Sequence, residues 1–130
     1  MKKILIQTLI ISFFFISFNA KAEIKHIKDG NVDAKVKLVV FESLTCSHCG
    51  DFHRDIYPKL KTDFIDKNLI SIEYRNFPLD IAAFNAAKIA HCRNDGKSEI
   101  LHHLYNNQSS WVRGSTIEDL NKNLKKVVQE

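Results

Sequence analysis

Residues 36–50 read VKLVVFESLTCSHCG, and the fold turns on how this stretch is parsed. Its first eight residues, VKLVVFES, are a β-rich apolar run suited to a buried strand; within three more the chain enters a polar, helically periodic segment that starts at Ser47. Cys46 and Cys49 sit at that junction. A Cys-x-x-Cys at a helix start places Cys46 among backbone N–H groups that no helical carbonyl occupies and at the positive end of the helix dipole, both of which favour a thiolate. Cys49, one turn on, is within disulfide reach, and His48, when protonated, adds a second positive influence on Cys46. Each pKa unit of thiolate stabilisation lowers the reduced form by about 1.4 kcal/mol, so a shift of several units makes a disulfide here strongly oxidising. Metal ligation and a structural bridge are the other uses of two nearby cysteines.

Working outward, residues 47–67 read as a helix with Phe52, Ile56, Leu60 and Phe64 on one face and Pro58 as a kink. Residues 69–75 (LISIEYR) alternate like a second strand, which Pro78 stops. Strand, helix and strand in this order require a right-handed crossover and parallel pairing. The cysteines then lie at the carboxyl end of the first strand, where open α/β sheets build their sites. On the N-terminal side, residues 26–29 read as a short edge strand closed by a Gly30-Asn31 turn. Beyond Pro78 the pattern is helical. Ala82, Ala86, Ile89 and Cys92 line one stripe, residues 98–106 form a shorter helix, and Ser115-Thr116-Ile117-Glu118 has the capping-box form ahead of a stripe of Ile117, Leu120, Leu124 and Val127.

The chain opens MKKILIQTLIISFFFISFNAKAE: two lysines, an apolar core over residues 4–18, and Ala20-Lys21-Ala22, a small-x-small form that a signal peptidase accepts. This reads as a cleaved secretory signal over residues 1–22, leaving residues 23–130 as one domain. An uncleaved anchor would need about 18 to 20 apolar residues, and Gln7 and Thr8 interrupt the run. Losing Lys2, Lys3 and Lys21 leaves 16 of 19 basic residues against 15 acidic ones, a net charge of +1 in place of +4. A nucleic-acid or membrane-surface role then has no electrostatic basis. Three cysteines in an exported chain make one pair at most and an odd thiol.

VKLVVFESLTCSHCGDFH, followed by YRNFPLD and AAFNAAKIAHCRNDGKSEILHHLYNNQSSW, resembles the DsbA-like thiol:disulfide oxidoreductases over residues 33–111. The resemblance implies a thioredoxin fold with a helical insertion, Cys46 as the exposed nucleophile with a very low thiol pKa, and Cys49 as the resolving cysteine. The dipeptide between them, which tunes the potential, is Ser47-His48 where the family often has Pro-His. The implied substrates are reduced exported proteins, the implied location is the periplasm, and reoxidation needs a membrane partner. No cofactor, bound metal or nucleic acid enters this reading.

Thioredoxin folds finish with two antiparallel strands and a helix, preceded by a cis-proline loop beside the cysteines. Pro58 and Pro78 are the only prolines, neither stands at that place, and no strand candidate follows Arg75. The expectation is therefore an α/β chain with a partial thioredoxin-like fold that ends inside the helical insertion and leaves residues 36–43 with an unpaired apolar edge.

Two further readings are a non-catalytic remnant of a shortened gene and a metal-binding module built on Cys46 and Cys49. A closed zinc site takes four ligands, and the other candidates, His91-Cys92 and His102-His103, are adjacent pairs without knuckle spacing. An inert bridge between Cys46 and Cys49 closes too small a loop to gain much. Cys92 is expected as a small buried hydrophobe, His53 as a solvated residue, and His91, His102 and His103 as helix-flanking residues near water. Trp111, Tyr105 and Phe84 are expected in the core. Glu42, the one acidic residue just before the motif, is either a strand-end surface carboxylate or a proton acceptor for Cys49.

Overall fold

The computed structural model describes residues 23–129, and the signal expected over residues 1–22 lies outside them. Val36–Glu42 forms strand β2, and after a helical crossover β3 (Ile70–Asn76) pairs with it in parallel, Val36 opposite Ile70 and Glu42 opposite Asn76. β1 (Ile27–Asp29) adds antiparallel to the far side of β3, giving the order β1-β3-β2. The parallel strand–helix–strand unit and the short edge strand are as the sequence led one to expect.

Their burial is not. The run over residues 36–43 forms an edge of the described sheet, as expected where no strand candidate follows Arg75, but its side chains are not buried as its apolar character suggested: Val39 is 51% and Phe41 68% exposed, while Glu42 is buried. Side chains alternate along a strand. Val40 and Glu42 share the face of Ile72 and Tyr74, against which the helices pack, and Val39 and Phe41 point to the other face.

Helix α1 occupies residues 47–65 as four alternating segments, α over Ser47–Asp51, π over Phe52–Ile56, α over Tyr57–Leu60 and π over Lys61–Ile65. A π turn bonds i to i+5 and so adds a residue to the turn. Pro58, the second residue after the first π segment, has no N–H to return to the preceding turn. The phase shift corrects the expected inner face. Ile56 and Phe64 are exposed, and Cys49, His53, Tyr57, Leu60 and Ile65 face inward.

The remaining helices are α2 (Ile81–Ala90), α3 (Glu99–Asn106), α4 (Gln108–Trp111) and α5 (Ile117–Val127). Asp80 caps α2 by accepting from the Ala83 N–H at 2.7 Å, and its other oxygen accepts from the Thr45 hydroxyl at 2.6 Å, tying α2 to the cysteine loop. The cap of α5 is Thr116, one residue beyond the expected Ser115, accepting from the Asp119 N–H at 3.2 Å. Ala82, Ala83, Ala86, Ala87 and Ala90 give α2 a small inner face that lets it approach the core closely, while Phe84 on its outer side is exposed and not in the core. α2 ends before Cys92, which is exposed where a buried residue was expected. Leu44, Ile72, Leu101, Leu104, Tyr105 and Trp111 are fully enclosed, and each large apolar side chain contributes about 1.5 to 3 kcal/mol by leaving water. Among the described residues no helix is long and apolar enough to cross a membrane.

Candidate active site

β2 ends at Glu42, and the turn from Ser43 to Cys46 is closed by the Cys46 N–H donating to the Ser43 carbonyl at 3.0 Å. Cys46 is the N-cap of α1 with extended backbone (φ −75°, ψ 119°), and its carbonyl accepts the Gly50 N–H at 3.1 Å. The cap side chain is a sulfur, so the free N–H groups of the first turn aim at it. The Cys46 thiol is held below its ordinary range first by the backbone N–H of Cys49, then by the Cys49 thiol and the His48 N–H, against opposition from burial and Asp51. Cys49 moves the other way. Burial and its neighbour Cys46 push it up to about 11, although the Ser43 N–H points at its sulfur. The sequence motif has thus become two unequal thiols, an acidic one at the cap and a protonated one beneath it. His48 reaches Cys46 through its backbone, while its ring is 94% exposed and lies 3.7 Å from Asp51.

A residue that no local pattern marked holds this loop. Gln108 of α4 is buried and its amide donates to the Leu44 carbonyl at 2.9 Å and to the Cys46 carbonyl at 2.8 Å. Its approach requires Gly50, where a Cβ would lie 2.3 Å from the Gln108 Oε1 and 2.8 Å from Arg54.

Beneath the cysteines the interior is polar, which corrects several expectations. Glu42 is buried and accepts from His53 Nε2 at 2.8 Å, so neither is a surface residue. His53 Nδ1 meets His102 Nδ1 at 3.0 Å, and His102 Nε2 meets the Asp29 carboxylate at 2.8 Å. Asp29 also accepts from Tyr57 and Tyr74 at 2.9 Å each, and from Ser98. His91 and His103 are half-buried and bonded to Asn76 and to the Val127 carbonyl. Trp111 and Tyr105 are core residues, as expected. The available signal was spacing: His53 is four residues after Cys49, and Tyr57 four after that. Among the described residues no group of three histidine, cysteine or acidic side chains could hold a metal ion.

The family model described as Thioredoxin matches residues 22–129. The chain belongs to the thioredoxin family. Its likeness within that family is to DsbA proteins. It is 29% identical to the crystal structure of Wolbachia pipientis alpha-DsbA1 T172V, with a TM-score of 0.70 over 80% of this chain and 52% of that one. A protein-disulfide isomerase from Novosphingobium aromaticivorans shares the fold at 23% identity and a TM-score of 0.67, covering 78% of this chain and 61% of that one. Among curated proteins, one from Rickettsia bellii, provisionally named a protein-disulfide oxidoreductase, is 36% identical over 93 residues, which are 70% of this chain and 36% of that protein. The chain spans about a third of the length of the rickettsial relatives with which it aligns over 93 residues.

Proposed function

We propose that this chain is a thiol:disulfide oxidoreductase that forms or exchanges disulfides in exported proteins through Cys46 and Cys49. The observation that carries the reading is the inequality of the two thiols. In the oxidised form a substrate thiolate attacks Cys46, the intramolecular bond breaks, and Cys49 leaves and is protonated. A second substrate thiolate then attacks the substrate sulfur of the mixed disulfide and expels Cys46 as a thiolate, the better leaving group of the two. The substrate loses two electrons and the cysteine pair gains them. Helix-start N–H groups stabilise Cys46 after it leaves, which favours the oxidising direction. His48 contributes its backbone N–H and, when protonated, its ring charge. Glu42, buried near Cys49, accepts the Cys49 proton when that thiol must attack. Export by cleavage after Ala22, a periplasmic location and a membrane partner that reoxidises the pair complete the reading.

Alkylation of the reduced chain with iodoacetamide at mildly acidic pH tests it, together with the reduction potential of the pair. Cys46 should be labelled far faster than Cys49, and the potential should be more oxidising than that of an ordinary structural disulfide. Equal labelling of the two, or a disulfide as hard to reduce as a structural one, would overturn the proposal.

A further inference from the structure

We propose that Glu42, His53, His102 and Asp29 form a proton relay that carries the Cys49 proton between the buried side of the dithiol and solvent. The inference rests on the oxidoreductase reading and extends it to four side chains contributed by β2, α1, α3 and β1. They are joined in series by three hydrogen bonds, of 2.8 Å from Glu42 to His53, 3.0 Å from His53 to His102 and 2.8 Å from His102 to Asp29. The Glu42 and His53 side chains are sealed, 1% and 0% exposed, whereas those of Asp29 and His102 are 15% and 17% exposed. The chain therefore has a dry end near the sulfurs and a wet end.

Counting hydrogens shows why this row can conduct. Three hydrogen bonds need three protons, and two neutral imidazoles supply two. With both carboxylates ionised, a third proton must reside in the row, on one of the rings. Among the described residues no lysine or arginine bonds to any of the four. Moving each proton across its own bond passes the third proton's charge along the row without breaking it. Both rings are fixed for this. His53 stacks on Tyr105 with centroids 3.9 Å apart and planes 9° from parallel, and His102 stacks on Tyr57 at 4.1 Å. The tyrosines facing the row stay neutral, because burial pushes the hydroxyls of Tyr57, Tyr74 and Tyr105 upward. Asp29 stays ionised among its donors, held at about 2 although burial alone would raise it.

The dry end has a place for the incoming proton. Glu42 Oε1 and the Tyr105 hydroxyl are both buried without a well-formed hydrogen bond, and the hydroxyl lies beside the carboxylate. The N–H of Ser43, the next residue, points at the Cys49 sulfur, and the charge on Glu42 is among the influences that raise that thiol. A carboxylate oxygen without a well-formed bond is costly to bury, and a purely structural pair with His53 does not require one. When a mixed disulfide at Cys46 is resolved, the Cys49 thiol gives its proton to Glu42 Oε1. The thiolate forms the bond to Cys46, and the outgoing sulfur leaves with the electron pair. The row's excess proton exits at His102. In the opposite step Cys49 leaves as a thiolate and is protonated by the same route in reverse.

The test uses the full chain with glutathione attached to Cys46 as a mixed disulfide, and measures glutathione release as a function of pH. Release that requires Cys49 should vary little with pH in the native chain. In His102→Phe, which keeps a ring against Tyr57 but cannot carry a proton, it should fall about 10- to 100-fold near pH 6 and climb with hydroxide concentration. His102→Gln keeps polar bonding without proton transfer and should behave alike, so a folding defect in the phenylalanine variant does not decide the matter. Added imidazole should restore part of the lost rate. A Cys49-dependent release whose pH profile is unmoved in a folded His102 variant overturns the relay and leaves the oxidoreductase reading standing. Release as fast in Cys49→Ala as in the native chain overturns both.

Discussion

Phe41 and Glu42 are neighbours in the chain and opposites in the fold. The phenylalanine at the end of β2 is 68% exposed, and the glutamate beside it is sealed against His53. The same inversion holds for the two regions they belong to: the outer face of β2 presents Val39 and Phe41 to solvent, while the space under α1 encloses carboxylates and imidazoles. Hydrophobicity assigns neither arrangement. A buried charge is tolerable only where partners replace water, and β2 delivers Glu42 to a place where α1 supplies one. The outer face has no comparable demand, and its apolar side chains are held in position by the pairing of β2 with β3.

The contrast breaks most visibly at its polar side. His53→Ala leaves the Glu42 carboxylate buried with no partner and should cost about 3 to 5 kcal/mol in urea unfolding. Replacing both, Glu42→Leu with His53→Leu, should cost clearly less than that single change, because no uncompensated charge remains. Equal losses in the two would mean that packing and not charge holds the region.

Asp29 gives the next effect, read through pH. Burial tends to raise its carboxyl, but the bonds from His102, Ser98 and Tyr74 outweigh it and leave it at about 2. The folded value lies below the unfolded value of about 3.9, so this stabilisation is complete above roughly pH 5 and is lost as the pH falls toward 2. The difference corresponds to about 2 kcal/mol. Unfolding measured between pH 5 and pH 2 should show that slope, and Asp29→Asn should flatten it.

Gln108→Ala removes the donor from the Leu44 and Cys46 carbonyls and should cost about 1 to 3 kcal/mol, with slower alkylation of Cys46 as the helix start loosens. A loss of stability with unchanged alkylation would confine Gln108 to a structural part. On the apolar side the effects are smallest. Val39→Thr with Phe41→Ser should change unfolding by no more than about 0.5 kcal/mol per site while reducing hydrophobic-dye binding and concentration-dependent association. A large destabilisation there would show that the outer face is covered in solution.

The sequence made the dithiol legible because its chemistry is local. Cys46 and Cys49 lie three residues apart at a strand-to-helix junction, and free N–H groups at a helix start follow from helix geometry alone. The stripe of α5 and the parallel pairing of β2 and β3 were legible for the same reason, since period and order are properties of a short window. The inner face of α1 was not. Two π segments moved it by a residue, so Phe64 gave way to Ile65 and Phe52 to His53. Cys92 was misread because α2 stops at Ala90, before its stripe reaches that position.

Sequence alone determined the Cys-x-x-Cys pair at a strand-to-helix junction and the order of elements around it, because each depends on residues close together or on their order along the chain. Tertiary structure decided that Glu42 at the end of β2 is sealed while Phe41 beside it is exposed, and that Gln108, 62 residues from Cys46, holds its carbonyl. It also decided that Asp29 and His102, 73 residues apart, complete a row with His53 and Glu42. Whether a polar side chain is buried depends on which distant partner meets it, and that partner is chosen by packing and not by its neighbours in the chain.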